Sequence, residues 1–361
     1  MNRRTLEKPD GRRLILYGRE PIPAGITAPS PSQALFAPNA HLRWHPLRGE
    51  WVAYATHRQH RTFLPPPSFN PLAPTIDTAQ PTEVPAGAYD VVVFDNLFPA
   101  FTSLAHDPPT LTIPTEPGRG ACEVVVFTQD PAASLGSLPL WHLELIVDVW
   151  ADRYEELGAR DDVAYVYAFE NRGVEVGVTL NHPHGQIYAY PFIPPIPARS
   201  IGNEQAFFAS SGRTLLEQMV GNELATGSRV LYSGPKVAAF VPVCARYPYE
   251  VWIAPRERAA SLAALDGEGR REFARALKTV LLKYDGLWNR PFPYVMAIHQ
   301  APTDGRTYPE AHVRAEFYPA YRMRDRLKYL AGSEIGAGLF TADTDSDDKA
   351  AELKGVTVVS D

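Results

Sequence analysis

The residue types best suited to chemistry fall together between Asn171 and Pro191, in the stretch NRGVEVGVTLNHPHGQIYAYP. His182 and His184 are two positions apart, so on a strand both side chains share one face, with Gln186 and then Tyr188 continuing the row. A strand presenting His, His and Gln in succession has no packing reason to do so. A lone structural histidine is usually satisfied by a backbone carbonyl; this row asks for more. Nucleophilic attack by an imidazole on phosphorus fits, because an unperturbed pKa of ~6.5 leaves the ring mostly unprotonated near pH 7. The second ring nitrogen then needs an acceptor to fix the tautomer, and a backbone carbonyl commonly serves. The Gln186 amide can donate to a non-bridging phosphate oxygen as charge develops. Gly173 and Gly177, just upstream, permit tight turning or close approach of a ligand to the backbone. Metal ligation is the rival reading, since an HxH pair on a strand also suits zinc.

The elements that position this row recur. Glu123 to Leu135 reads EVVVFTQDPAASL and Glu250 to Leu262 reads EVWIAPRERAASL, with six of thirteen positions identical at an offset of 127 residues. After the first copy come a helical segment, LWHLELIVDVWADRYEELG, the strand VAYVYAFENRG, and then His182-x-His184. After the second come GRREFARALKTVLLKYDGLW, YVMAIHQAP, and His312-x-Arg314-x-Glu316. Both helical segments space apolar residues by three and four: Leu143, Ile146, Val147 and Trp150 in one, Phe273, Leu277 and Leu281 in the other. Each unit reads strand, helix, strand, strand, which predicts an α+β fold with largely antiparallel sheets and flanking helices.

Composition narrows the class. The 361 residues suffice for about two domains, and 45% apolar with 21% charged residues is ordinary for a globular chain. A net charge of −6 disfavours a long nucleic acid as partner, though not a single nucleotide. Cys122 and Cys244 are too few for a disulfide framework, so two reduced, buried thiols are expected. No apolar run is long enough to span a membrane, and the N-terminal one is too short for a secretory segment; the expectation is a cytoplasmic protein. Proline is abundant, at 35 residues. The cluster over 62–88 reads as an extended surface loop, and YPFIPPIPARS as a boundary between domains 1–196 and 197–361.

His182-Pro183-His184-Gly185-Gln186 resembles the HPHGQ motif of galactose-1-phosphate uridylyltransferases, a branch of the histidine-triad (HIT) superfamily. The resemblance runs from about Arg43 to Glu334. It implies a duplicated HIT-like fold, a homodimer, and ping-pong transfer of UMP between UDP-glucose and galactose 1-phosphate in galactose metabolism. By position, His184 would be the nucleophile forming a uridylyl-histidine, and Gln186 would hold the transferred phosphoryl group. HPLRGEWVAYATHRQHR resembles the family's N-terminal segment and places Arg58 and Arg61 on its phosphate- and nucleotide-side arginines; such planar donors suit a diphosphate. FDNLFPAF resembles the uridine-pocket segment, with Asn96 and Phe98 beside the base. FENRG offers Asn171 toward the ribose or phosphate, and Gly177 and Thr179 precede the motif. KYLAGSE resembles the hexose-recognition segment, often reaching across the dimer, with Lys328 and Glu334 as the matching residues and Ser333 where some relatives have Tyr.

The departures concern metals. Relatives bind structural zinc through a CxxC pair, a later His and the first His of the motif. The corresponding stretch here, TFLPPPSFNPL, has no cysteine, and Pro131 stands at the later His. One remaining ligand, His182, cannot make a tetrahedral site, so His182 is expected to make a hydrogen bond that supports the loop around His184. A second metal site in relatives uses a Glu and three His; here His299 is kept, while Arg314 and Glu316 take two histidine positions. Both the zinc and the iron site therefore read as lost, and no cofactor is expected. Arg314 is expected to replace the metal cross-link by pairing with Glu316 or another nearby carboxylate. The competing function is a HIT-family nucleotidyltransferase or phosphorylase that acts on an ADP-sugar or dinucleotide with the same histidine. A non-catalytic nucleotide-binding protein is a third reading, against which the intact His184-Gly185-Gln186 counts.

Overall fold

Apolar runs and alternations in the sequence become strands and two long helices in a computed structural model, which describes residues 1–32, 34–60, 65 and 69–358. The N-terminal part supplies β1 (Asn2–Glu7), β2 (Arg13–Gly18), β3 (His41–His45), β4 (Glu50–Tyr54), β5 (Val91–Asp95), β6 (Thr115–Pro117), β7 (Ala121–Val126), α1 (Leu140–Gly158), β8 (Tyr165–Arg172) and β9 (His184–Tyr190). Helices α2 (Pro195–Ser211) and α3 (Leu215–Thr226) follow, then β10 (Val230–Ser233), β11 (Val237–Phe240), β12 (Val251–Pro255) and α4 (Gly267–Leu287). The chain closes with β13 (Tyr294–His299), β14 (Arg314–Pro319), β15 (Tyr321–Met323), β16 (Arg326–Leu327) and α5 (Ser346–Lys354).

Among the described residues, eleven strands form one antiparallel sheet in the order β1-β2-β5-β7-β9-β8-β13-β14-β12-β11-β10. Its centre is the β8–β13 pair, where Phe169 faces Ala297 and Asn171 faces Val295. Moving outward, β9, β7, β5 and β2 on one side answer β14, β12, β11 and β10 on the other. The repeated sequence thus appears twice in space, as β7-α1-β8-β9 and β12-α4-β13-β14. Helices α1 and α4 lie together on one sheet face, and Leu143, Ile146, Val147, Phe273, Leu277 and Leu281 from the two apolar stripes join a single core. Fully burying one such side chain is worth about 1.5–3 kcal/mol, which ties both helices to the sheet.

The other face is covered differently along its length. Over β2, β5 and β7 it is closed by the proline-rich segment, whose Leu72, Val84 and Tyr89 pack on Leu14, Leu16, Val92, Phe94 and Val126. The expected surface loop is irregular, but its described part is anchored. Arg12, fully buried, bonds Asp10 and Glu83, and Lys8 reaches the same Glu83. Near the end of β9 the cover is a small sheet of β4, β3 and β6, which presents Leu42 and Trp51 to Cys122, Tyr188 and Tyr190. Both cysteines are free, but only Cys122 is buried as expected; Cys244 lies exposed, just past β11. The proline cluster at 191–197 is more than a linker: Pro195 opens α2, where its missing N–H costs nothing. Near the C-terminus, SDDKAAELK forms α5, capped by Asp345, and buries Ala350 and Leu353 in the main core.

Candidate active site

Alternation along β9 turns Gly185, Ile187 and Ala189 inward and leaves His184, Gln186, Tyr188 and Tyr190 on the face away from α1 and α4. Gly185 is required by packing. A Cβ there would lie 2.8 Å from the Phe127 ring and 3.0 Å from the Phe169 carbonyl oxygen. The strand begins at His184, so His182 does not share its row as the spacing suggested. Its ring is buried instead, with Nε2 2.7 Å from the Thr128 carbonyl oxygen and Nδ1 2.9 Å from the Asn70 side-chain nitrogen.

His184 donates from Nδ1 to the His182 carbonyl oxygen at 2.7 Å, and among the described residues Nε2 has no partner. Burial, opposed by that carbonyl bond and aided by the neighbouring His182 ring, holds the His184 pKa below the ordinary imidazole value. The ring is therefore neutral at pH 7, with its free lone pair on Nε2. It stands at the wall of a cavity of about 680 Å³ that Glu170, Asn171, Arg172, Asp285 and Arg290 also line. Burial pushes the Glu170 carboxyl up to about 7, with Tyr294 donating to it at 2.9 Å.

Farther along the same face, Arg58 donates to the Phe98 carbonyl oxygen at 2.8 Å and to the Tyr188 hydroxyl at 3.3 Å. Asn96 shapes this turn by accepting the Phe98 N–H at 2.8 Å, and His57 meets the Pro99 carbonyl. Arg58, Asn96 and Phe98 thus gather beside Tyr188, two alternate positions from His184, about 14 Å along a strand. Gln186 lies between, its amide unpartnered among the described residues. Asn171 lies on β8 just beyond the last β8–β9 pair, Phe169 with Gln186. Gly177 holds a left-handed φ of 79° at the end of a short turn, and Thr179 is half-buried downstream of it. Arg61 lies outside the described residues.

Lys328 and Glu334 stand elsewhere in the chain. They line a separate cavity of about 600 Å³ with Arg326, Thr341 and Asp343. There Lys328 donates to the Thr341 carbonyl at 2.6 Å, and Glu334 accepts the Ala331 and Thr341 N–H groups.

In the second repeat the strand positions answering His184 and Gln186 hold Arg314 and Glu316, both buried. Arg314 donates to Glu316 at 2.5 Å, to Glu204 of α2 at 3.2 Å and to Ser200 at 3.0 Å. Burial works against the Glu316 carboxylate, but Arg314 and His299 outweigh it and push it down to about 2. His299, by contrast, is pushed down to about 4 by burial. A guanidinium already ion-paired at the centre of this cluster is a poor fit for a cation.

Residues 34–194 match the family "Galactose-1-phosphate uridyl transferase, N-terminal domain", and residues 200–349 match its C-terminal domain. The chain belongs to the galactose-1-phosphate uridylyltransferase family. A galactose-1-phosphate uridylyltransferase of Thermotoga maritima is 36% identical over 324 residues, covering 88% of this chain and 98% of the relative. One from Streptomyces lividans is 38% identical over 355 residues, covering 94% and 91%. A solved uridylyltransferase structure superposes with a TM-score of 0.80 at 32% identity, over 88% of this chain and 98% of that one. Within this uridylyltransferase fold, sequence reasoning missed Asn70, Thr128, Ser200 and Glu204. Only Asn70 carried a signal, the Asn-Pro step that marks a turn.

Proposed function

We propose that this enzyme moves UMP between UDP-glucose and galactose 1-phosphate through a covalent uridylyl-His184. The observation that carries the proposal is the hydrogen bond from His184 Nδ1 to the His182 carbonyl, which leaves Nε2 without a partner among the described residues, on a residue that lines a cavity. In the first half-reaction the Nε2 lone pair attacks the α-phosphorus of UDP-glucose. The N–P bond forms as the bridging P–O bond breaks, and glucose 1-phosphate leaves with the bonding electrons. The ring becomes cationic, and the His182 carbonyl opposite Nδ1–H stabilises that charge. In the second half-reaction a phosphate oxygen of galactose 1-phosphate attacks the same phosphorus, and Nε2 leaves as neutral imidazole. Gln186 donates to the phosphoryl oxygens as their charge grows. Arg58, with Arg61, meets the nucleotide's phosphates, and Asn96 and Phe98 flank the base. Asn171, which lines the cavity with His184, is assigned to the phosphoryl site, with Gly177 and Thr179 in the segment leading to it.

Lys328 and Glu334 line a cavity of their own, so their contact with the hexose is assigned to the neighbouring chain of a homodimer. The reaction needs no metal in this proposal: both His182 ring nitrogens are engaged, and Arg314 occupies the second repeat's centre. No helix of the described residues is long and apolar enough to cross a membrane. Incubation with phosphorus-labelled UDP-glucose followed by denaturation should leave label on His184, and His184→Ala should leave none while still binding nucleotide. Labelling from ADP-glucose in preference to UDP-glucose, or a stable adduct in the variant, would overturn the assignment.

A further inference from the structure

We infer that Asn70 is a positioning residue for the transfer, setting the tautomer of His182 and through it the presentation of His184. The inference rests on His184 being the nucleophile. It begins from a complete donor and acceptor account. The Asn70 Oδ1 accepts the Leu72 backbone N–H at 3.0 Å, which fixes the orientation of the amide. The other end of the amide, an NH2 group with only hydrogens to offer, faces His182 Nδ1 at 2.9 Å. Nδ1 must therefore present its lone pair, and the His182 proton must sit on Nε2. Nε2 in turn faces the Thr128 carbonyl, which can only accept. The opposite tautomer would set hydrogen against hydrogen at one nitrogen and lone pair against lone pair at the other.

With the ring locked at both ends, the His182 backbone is held too, and its carbonyl is the group that receives His184 Nδ1–H. That bond keeps the lone pair of His184 on Nε2, the atom that must meet phosphorus. Asn70 itself has a firm base. Its carbonyl accepts the Ala73 N–H at 3.1 Å, and Leu72 is buried among Leu14, Leu16 and Phe94. Farther along the segment, Glu83 is gripped by Arg12 and Lys8. The proline-rich cover of β2 and β5 thus reaches the reacting histidine through one amide. A positioning error of about 1 Å at a reacting atom costs on the order of 100-fold in rate.

The test uses Asn70→Asp and Asn70→Ala. Aspartate keeps the shape and the acceptor for Leu72 but puts oxygen where the donor stood, so it isolates the donor even if the alanine variant fails to fold. Both variants should slow adduct formation from UDP-glucose by about 10–100-fold, with the dissociation constant for UDP-glucose changed less than about twofold. Histidine-15N NMR supplies a readout independent of turnover: wild type should show His182 as the Nε2–H tautomer and His184 as Nδ1–H, and Asn70→Asp should shift the His182 signals away from that tautomer. Unchanged adduct rates in Asn70→Asp, or identical His182 signals in wild type and variant, would overturn the inference. Failure of the wild type to form an adduct would instead remove the nucleophile assignment, while the tautomer measurement would still decide the role of Asn70.

Discussion

Replacing Arg314 by alanine should be among the most damaging single changes outside the reacting strand. The guanidinium is buried and bonds Glu316, Glu204 and Ser200, so its loss strands two carboxyls in the interior. Burial already pushes Glu204 up to about 7 with Arg314 present. Glu316, held at about 2 chiefly because Arg314 offsets its burial, would rise. Moving from 4.5 to about 2 corresponds to about 3 kcal/mol at ~1.4 kcal/mol per unit. That agrees with the ~3–5 kcal/mol typical when one partner of a buried pair is removed. The sign with pH follows from linkage: a depressed carboxyl stabilises above its unfolded pKa, and that contribution disappears as pH falls through the folded one. The penalty of Arg314→Ala should therefore be largest near neutrality and shrink between about pH 4.5 and pH 2 as Glu316 takes a proton in wild type. Urea unfolding of wild type and variant at pH 7 and at pH 3.5 measures both quantities. A difference at pH 7 within about 0.5 kcal/mol, the range of a surface substitution, would refute the reasoning. So would a penalty that grows on acidification.

Gln186→Ala should slow both half-reactions by about 10²-fold in single-turnover experiments if its amide stabilises the phosphoryl oxygens; equal rates would remove it from the mechanism. Gly185→Ala should destabilise by about 1–3 kcal/mol in denaturant unfolding, because the new methyl meets Phe127 and a carbonyl that cannot move away. Chelation should leave activity and melting temperature unchanged, and elemental analysis of protein purified without added metal should show no stoichiometric zinc or iron. Near-stoichiometric metal in that preparation would defeat the metal-independent reading.

The duplicated sheet was legible because its signals are local. The stripes of α1 and α4 are set by three- and four-residue spacing, and the matched AASL segments mark the same point between strand and helix in each unit. The outward row of His184, Gln186 and Tyr188 follows from strand alternation alone. His182 escaped that logic because the strand begins at His184, two residues later than the His-x-His spacing suggests, which frees its ring to turn inward. Asn70, Ser200 and Glu204 are far in sequence from the histidine and arginine they bond, and no periodicity links them. The proline-rich segment read as exposed because prolines suppress strands; Leu72 and Val84, which bury it, are too sparse to show a period. Composition also gave no hint that Lys328 and Glu334 would line a cavity separate from His184.

The β8–β13 seam has a consequence during synthesis. On the ribosome β8 is complete before its partner exists, so its backbone donors and acceptors on that side stay unpaired in the nascent chain. At about 5–20 residues per second, the roughly 120 residues from the end of β8 to the start of β13 take on the order of 10 s. An open strand edge for that long invites pairing with a neighbouring chain. Glu170 and Arg172 sit in this edge, and charged side chains on a waiting strand discourage such pairing. The open edge of β8 persists until Tyr294–His299 emerges and closes the seam.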